Sequence, residues 1–337
     1  MNSDLILLGH GSGGRLSHQL LDELILPALS GSRQTDQNDA ALLQFDGGKL
    51  AYTTDSYVVH PIFFPGGNIG DLAVNGTVND LAMMGAKPLW LSVGLILEEG
   101  FSKSELGEIL ASMRVAADIA GMQIVTGDTK VVPRGKADKI FINTSGIGIV
   151  EHNLEINGGN AKAGDSIIVS GTIGDHGIAV MASREGLELE TSIQSDSAAL
   201  NALVLELVAA LGKGLHVLRD PTRGGVATTL KEIAVQSSVD LMLQEDSLPV
   251  KGEVKAVCSI LGLDPLYVAN EGKMLLFVAP YAAEEALELL QAHPLGRDAA
   301  KIGFVSDKGT GKVAIETTGG GIRGVEMLSG EQLPRIC

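Results

Sequence analysis

Between Glu155 and Asp165 the chain runs EINGGNAKAGD, a glycine- and asparagine-rich interruption between two runs of strand and helix patterns. Clusters of this composition break regular structure. Upstream of it, residues 16–29 (LSHQLLDELILPAL) and 69–84 repeat at helical spacing, while 40–45 and 50–59 read as strands. Residues 88–97 (PLWLSVGLIL) predict a buried strand, 102–120 a helix closed by Gly121, and 122–126 and 139–150 further strands. Downstream the alternation restarts with a strand at 166–171 and a helix from Asp175. Residues 223–236, 254–262 and 281–293 look helical, and 273–279, 300–306 and 312–316 extended. Several strands follow one another directly, more than a simple doubly wound sheet requires. The pattern predicts an α/β (α+β) chain of two domains, each with a mixed β-sheet covered by helices. Division within 157–164 gives 1–157 and 158–325, both of ordinary domain size. Residues 326–337 are left as an extended, mobile tail, because the glycines upstream of it loosen the backbone and Pro334 biases Leu333 away from helix.

Bulk composition limits the function classes. The chain has 337 residues, 45% hydrophobic and 20% charged, which is globular rather than disordered. Aromatic residues make up only 4%, so aliphatic side chains must fill the cores. The net charge of -16 argues against nucleic acid or an anionic membrane as a partner. No apolar run approaches the roughly 18 residues of a membrane span, and no signal peptide is evident. The two cysteines, Cys258 and Cys337, are far apart, which fits a reducing cytoplasm better than a disulfide scaffold. A phosphate ligand remains compatible with this charge only if a divalent metal and local cations offset it.

Two kinds of motif answer that requirement. Gly9-His10-Gly11-Ser12-Gly13-Gly14 precedes a helix, and the backbone N–H groups of such a loop can cradle phosphate. It lacks the preceding strand and following acid of a dinucleotide-binding fingerprint, so a nicotinamide enzyme ranks last, and a plain turn is an alternative. The second is a set of aspartates in apolar surroundings, Asp39, Asp55, Asp80, Asp128 and Asp220. Carboxylates there are costly unless paired or metal-bound, and Mg²⁺ takes one or two of them together with phosphate oxygens. Helix caps and turns are the alternative, above all for Asp220. Asp71, Asn75 and Asn79 form a polar stripe on an apolar helix, facing a ligand or a partner if not solvent. Lys130 and Arg223 each lie within three residues of one of the acids, and Glu271 sits in a turn before a strand. Cys258 falls among apolar neighbours and reads as inert core. Cys337, the last residue, is either incidental or a thiol that travels on its tail.

Together these stretches resemble the HypE family of hydrogenase maturation factors, the carbamoyl dehydratases. The resemblance is carried by HGSGG, TTDSYVVHPIFFPGGNIG, NDLAMMGAKP, VTGDTKVV, SGTIGDHG, RDPTRGG, ANEGK and terminal PRIC, in order along the chain. It implies the superfamily of aminoimidazole ribonucleotide synthetase, selenophosphate synthetase and thiamine-monophosphate kinase, and with it a two-domain subunit that pairs as a homodimer through its N-terminal sheets. It implies ATP and Mg²⁺ as ligands, with Asp39, Asp55, Asp80 and Asp128 at the metal and phosphates. Gly11, Ser12, Gly13, Gly14, Asn79, Thr129 and Arg223 are then nucleotide-binding candidates.

The activity implied is ATP-dependent dehydration of a carbamoyl group on Cys337 to a thiocyanate, which supplies cyanide to the iron of [NiFe]-hydrogenase. A carbamoyltransferase would load Cys337 and an iron-holding scaffold complex would receive the cyanide. Glu271 is expected as general base, Lys130 as a charge stabiliser and His10 as an ordering or proton-shuttling group. The competing expectations are a synthetase or kinase for a small molecule, and a cysteine-tailed carrier without catalysis.

Overall fold

The structure, a computed structural model, describes residues 6–11, 14–25, 38–184, 191–329 and 335–337. The first helix, α1 (Arg15–Leu20), continues as a wider turn over Leu21–Ile25. Residues 26–29 of the helix expected there, like Ser12 and Gly13, lie outside the described residues. Strands β1 (Ala41–Phe45) and β2 (Gly48–Tyr57) form a hairpin across Asp46-Gly47, a dipeptide suited to that tight turn. A small hairpin, β3 (Phe63–Phe64) and β4 (Gly67–Asn68), leads into α2 (Ile69–Met83). That helix opens with a capping box: the Asn68 side chain accepts from the Gly70 N–H at 2.8 Å, and Asp71 accepts from the Asn68 N–H at 2.6 Å. Then follow β5 (Lys87–Glu98), α3 (Lys103–Ala120), β6 (Gln123–Val132) and β7 (Ile140–Val150). Gly121 closes α3 in the left-handed conformation, as its position predicts.

These strands make one sheet in the order β1-β2-β7-β5-β6. Only β5 and β6, joined through α3, run parallel. One face packs against α2, whose apolar residues are buried nearly all round because α5 covers its other side. The opposite face carries Tyr52, Trp90 and Ile96, each more than 40% exposed. The buried strand expected at 88–97 is therefore buried on one face only, since this antiparallel-rich sheet has a single covered side.

The second sheet is built from β8 (Ser166–Val169), β9 (Leu215–Arg219), β10 (Val239–Gln244), β11 (Leu275–Val278), β12 (Ala300–Lys308), β13 (Val313–Glu316) and β14 (Ile322–Gly324). Their order is β14-β13-β10-β12-β8-β11-β9, with β10 and β13 parallel and the rest antiparallel. Helices α4 (Asp175–Ala182), α5 (Asn201–Leu211), α6 (Gly225–Ser237), α7 (Gly252–Leu261) and α8 (Ala283–Ala292) complete it. Along β8, Ile167 and Val169 enter one core with Val226 and Leu230 of α6. Ile168 enters the other, with Leu203 and Leu207 of α5. The period of two thus feeds a core on each face, which is why these short central strands are buried throughout. The glycine-rich region expected to be extended includes β14, and Val325 and Leu328 beyond it are buried. Leu276, fully buried in β11, is deep in the second of these cores. Leu276→Ala is expected to lower stability by about 2–5 kcal/mol in urea unfolding, and a loss within error would contradict this packing.

Candidate active site

Strand β2 places Thr53, Asp55 and Tyr57 on its covered side, because alternate residues share a face. Across from them α2 presents Asp80, whose Oδ2 lies 2.7 Å from Thr53 Oγ1. From the second sheet β9 delivers Arg219 and Asp220, and the turn into α6 delivers Arg223. Arg219 spans the seam, with Nε 2.7 Å from Asp39 Oδ1 and Nη2 2.8 Å from Glu232 Oε2. His18 of α1 joins the same network, its Nε2 2.8 Å from Glu232 Oε1. A cavity of about 240 Å³ lies here, lined by Ser17, His18, Asp39, Arg219, Asp220, Arg223 and Glu232 among others.

Charge is crowded at this seam. Burial pushes the Asp80 carboxyl well above the usual aspartate range, and the nearby Asp220, Asp55 and Asp39 charges push it further. Asp220 is raised by burial and by Asp39, against the opposing Arg219. Asp39 is raised to about 6 by burial, although Arg219 pulls it down. Among the described residues Asp39 Oδ2 and Glu271 Oε1 are buried without a hydrogen-bond partner. Carboxylates that repel one another and keep an unsatisfied oxygen fit a divalent cation, which takes the place of the missing protons. Among the described residues no three acidic, histidine or cysteine side chains form a ready-made metal site.

Glu271 is 3% exposed, and its backbone N–H donates to Asp196 Oδ1 at 3.0 Å. Burial raises its carboxyl well above the ordinary glutamate value, Asp220, Asp196 and Asp55 add to the rise, and Arg223 opposes it. Next to it Gly272 has no room for a side chain, because a β-carbon would collide with the Asp196 backbone. Residues 195–200 form a strap between this turn and α2. The polar stripe of α2 faces the strap rather than solvent: Asn75 Nδ2 donates to Ser197 Oγ at 3.0 Å. Asn79 Nδ2 donates to the Ala198 and Glu271 carbonyls at 3.0 and 3.1 Å, and its Oδ1 accepts from the Leu200 N–H at 2.8 Å. The Asn79 amide thereby holds the Glu271 backbone.

The tail returns to this place. The Cys337 carbonyl accepts from the Val58 N–H at 3.1 Å and the Arg335 carbonyl from the His60 N–H at 3.1 Å, while Ile336 is buried. Burial raises the Cys337 thiol, Arg223 opposes this, and Glu271, Asp55 and Asp220 add to it. Arg223 is raised in turn, first by Cys337 and then by Asp55 and Glu271.

Other expected residues are elsewhere. Asp128, Thr129 and Lys130 lie exposed on β6, the edge of the first sheet, where Lys130 Nζ and Asp128 Oδ2 pair at 2.7 Å. His10 turns back on its own segment, its Nδ1 accepting from the Leu7 N–H at 2.9 Å. Gly14 starts α1 and packs on Leu328. Arg219, Glu232, His18, His176 and Asp196 were not anticipated. Arg219 and His176 stand inside the conspicuous stretches LRDPTRGG and SGTIGDHG, but nothing local to them reveals partners more than 10 residues away.

The described fold, with acids gathered where two mixed sheets meet, is that of an AIR synthase related protein. The N-terminal domain model of that name matches residues 37–150 and the C-terminal one residues 162–316. Within that class the chain belongs to the HypE family of carbamoyl dehydratases. It is 53% identical over 330 residues to carbamoyl dehydratase HypE of Bradyrhizobium diazoefficiens, covering 98% of this chain and 95% of that protein. To the Escherichia coli protein of the same name it is 45% identical, covering 98% and 99%. A crystal structure of hydrogenase maturation protein HypE in complex with ATP superposes with TM-score 0.83 at 51% identity, covering 99% of this chain and 100% of that one. The protein in a HypE–HypF complex gives 0.86 at 48%, covering 92% and 99%. Thiamine monophosphate kinase of Aquifex aeolicus shares the fold at 20% identity, with TM-score 0.63 and coverage of 93% and 99%.

The raised acids set a pH signature. The folded chain binds protons that the unfolded one releases, from an ordinary aspartate value of about 4 up to about 6 for Asp39. Stability of the metal-free protein therefore falls as pH rises through that window, and the deficit persists above it. Asp220→Asn is expected to raise the urea midpoint at pH 8 in EDTA and to leave it nearly unchanged at pH 4.5. Equal midpoints for variant and parent at pH 8 would contradict the repulsion.

Proposed function

We propose that this chain is an ATP-dependent carbamoyl dehydratase whose substrate is an S-carbamoyl group on its own Cys337. The observation that carries this reading is the docked tail: the Cys337 carbonyl accepts from the Val58 N–H at 3.1 Å, and Cys337 packs on the core that includes Tyr57 and Ala269, two residues before Glu271. An ATP complex of a relative supports the nucleotide, and a HypE–HypF complex supports a carbamoyltransferase partner.

The chemistry suits these groups. An amide oxygen leaves poorly, so the γ-phosphoryl of ATP is transferred to it, forming an O–P bond and releasing ADP. One N–H proton passes to solvent water as the C=N bond forms. Phosphate then leaves with the C–O electron pair, the second N–H proton goes to a base, and S–C≡N remains. Glu271 is that base: burial makes it a stronger proton acceptor than an ordinary glutamate. Arg223, beside the sulfur, offsets the charge that develops on the carbamoyl oxygen. Magnesium held by Asp39, Asp55 and Asp80 would neutralise phosphate charge. Gly11, Ser12, Gly13 and Gly14, ordered by His10, would cover the phosphates. Transfer of the thiocyanate carbon as cyanide to iron on a scaffold complex for [NiFe]-hydrogenase takes two electrons from that complex and returns Cys337 as a thiolate.

A homodimer completes the site in this reading. The exposed apolar face of the first sheet and the bare β6 edge suit a second copy, which would bring its Asp128, Thr129 and Lys130 to the nucleotide. Mixed dimers of Lys130→Ala and Glu271→Gln chains are expected to recover dehydration that neither homodimer performs; no recovery sinks the shared site.

The central test uses the intact protein with its carbamoyltransferase, carbamoyl phosphate and ATP. Mass spectrometry of the last peptide is expected to show a carbamoylated Cys337 that loses one water only with ATP. Glu271→Gln is expected to slow that loss by about 10²–10⁴-fold. A parental rate in this variant removes Glu271 as base. A carbamoyl group that persists with ATP identifies a carrier instead.

A further inference from the structure

The carbonyls of Arg335 and Cys337 face one way, onto the backbone of 58–60, and the Ile336 carbonyl between them faces the other. It meets His176 Nε2 at 2.7 Å. His176 stands in the first turn of α4 and is fully buried, with the Phe64 ring edge-on at 5.4 Å between centroids. Its other nitrogen, Nδ1, lies 2.8 Å from Ser195 Oγ.

The direction of every proton in this chain follows from its ends. A carbonyl only accepts, so Nε2 carries the hydrogen. Burial lowers the His176 value, which keeps the ring neutral near pH 7 and leaves Nδ1 as an acceptor. Ser195 Oγ already accepts from the Ser197 N–H at 3.1 Å, so its hydroxyl hydrogen is available to Nδ1. Ser195 therefore satisfies Nδ1 in the tautomer that the Ile336 carbonyl requires.

Ser195 belongs to the same strap that fixes Glu271. Its N–H donates to the Pro65 carbonyl at 2.7 Å, and the next residue, Asp196, accepts from the Glu271 N–H. Base and thiol are thus referenced to consecutive residues of one segment. We infer that His176 is a positioning residue for Cys337: set by Ser195, it clamps the Ile336 carbonyl and seats the adjoining thiol beside Glu271. This use of the clamp rests on the dehydratase reading, but the clamp itself is tested without it.

The test is alkylation of Cys337 by iodoacetamide in the full chain at pH 8, followed by peptide mass spectrometry with Cys258 as internal control. His176→Phe keeps the ring volume and removes the donor; it is expected to speed Cys337 alkylation about tenfold, the loss of one buried hydrogen bond, with Cys258 unchanged. His176→Gln restores a donor near the Nε2 position and is expected to return the rate to within about twofold of the parent. Ser195→Ala, which never touches the tail, is expected to speed it severalfold. A parental rate for folded His176→Phe, or failure of Gln to rescue, overturns the clamp. If Cys258 also becomes reactive in His176→Phe, Ser195→Ala decides, and a parental rate there overturns it. Absence of ATP-dependent water loss in the parent would sink the dehydratase reading while leaving these alkylation rates to stand or fall by themselves.

Discussion

The ion pairs of Arg219 with Asp39 and Glu232 are the constraint on which the site depends. A guanidinium at the end of β9 grips a carboxylate from the segment before the first sheet and another from α6. Asp39, Asp80 and Asp220 then lie close enough to repel one another. Without that cation the largely buried Asp39 and Glu232 would lose this partner, a change that costs about 3–5 kcal/mol when one member of a buried pair is removed, and Arg223 would be left to oppose the rest. The remaining repulsion is what the proposed metal–phosphate ligand would relieve. A site neutralised completely by its own arginines would have no electrostatic use for a metal–phosphate ligand.

The sequence revealed those acids well, for a physical reason. An aspartate among apolar residues is expensive, so Asp39, Asp55, Asp80 and Asp220 stand out without any knowledge of the fold. Period and capping rules likewise located α2 and the Gly121 stop of α3. What was not legible is whatever depends on distant pairing. Nothing around Arg219 announces Asp39, which lies 180 positions earlier. The strap at 195–200 has no period at all, so the stripe Asp71, Asn75 and Asn79 pointed to an unknown partner, and the partner is this strap. Asp128 and Lys130 show the opposite limit. Their chemistry was plain, but one chain alone leaves them exposed on an edge strand.

The tail makes the same distinction for Cys337. Glycine content and Pro334 argued for an extended, mobile end, and chain statistics say no more than that. The docked position comes from complementary features of the folded body: the backbone N–H groups of Val58 and His60, the pocket for Ile336 and the tautomer of His176. Two of these donors are backbone groups, present whatever the side chains are. Arg184 and Asp138 hold Arg335, and His176 holds Ile336, tying the end of the tail to the strap.

Several weak contacts seat the tail. Backbone carbonyls of Arg335, Ile336 and Cys337 take hydrogen bonds at about 1 kcal/mol each, the Arg335 carbonyl a second one from Arg184 Nη2 at 3.0 Å. The Arg335 side chain pairs with Asp138 at the surface, where an ion pair contributes about 0–1 kcal/mol. Ordering the last three backbone units opposes them at about 1–2 kcal/mol apiece. The Arg184 and Asp138 contacts act at Arg335, two residues before the thiol, whereas His176 acts at Ile336, the residue joined to Cys337. His176 therefore contributes less to holding the tail as a whole than to fixing where its last residue lies. Desolvation of His176 keeps it neutral.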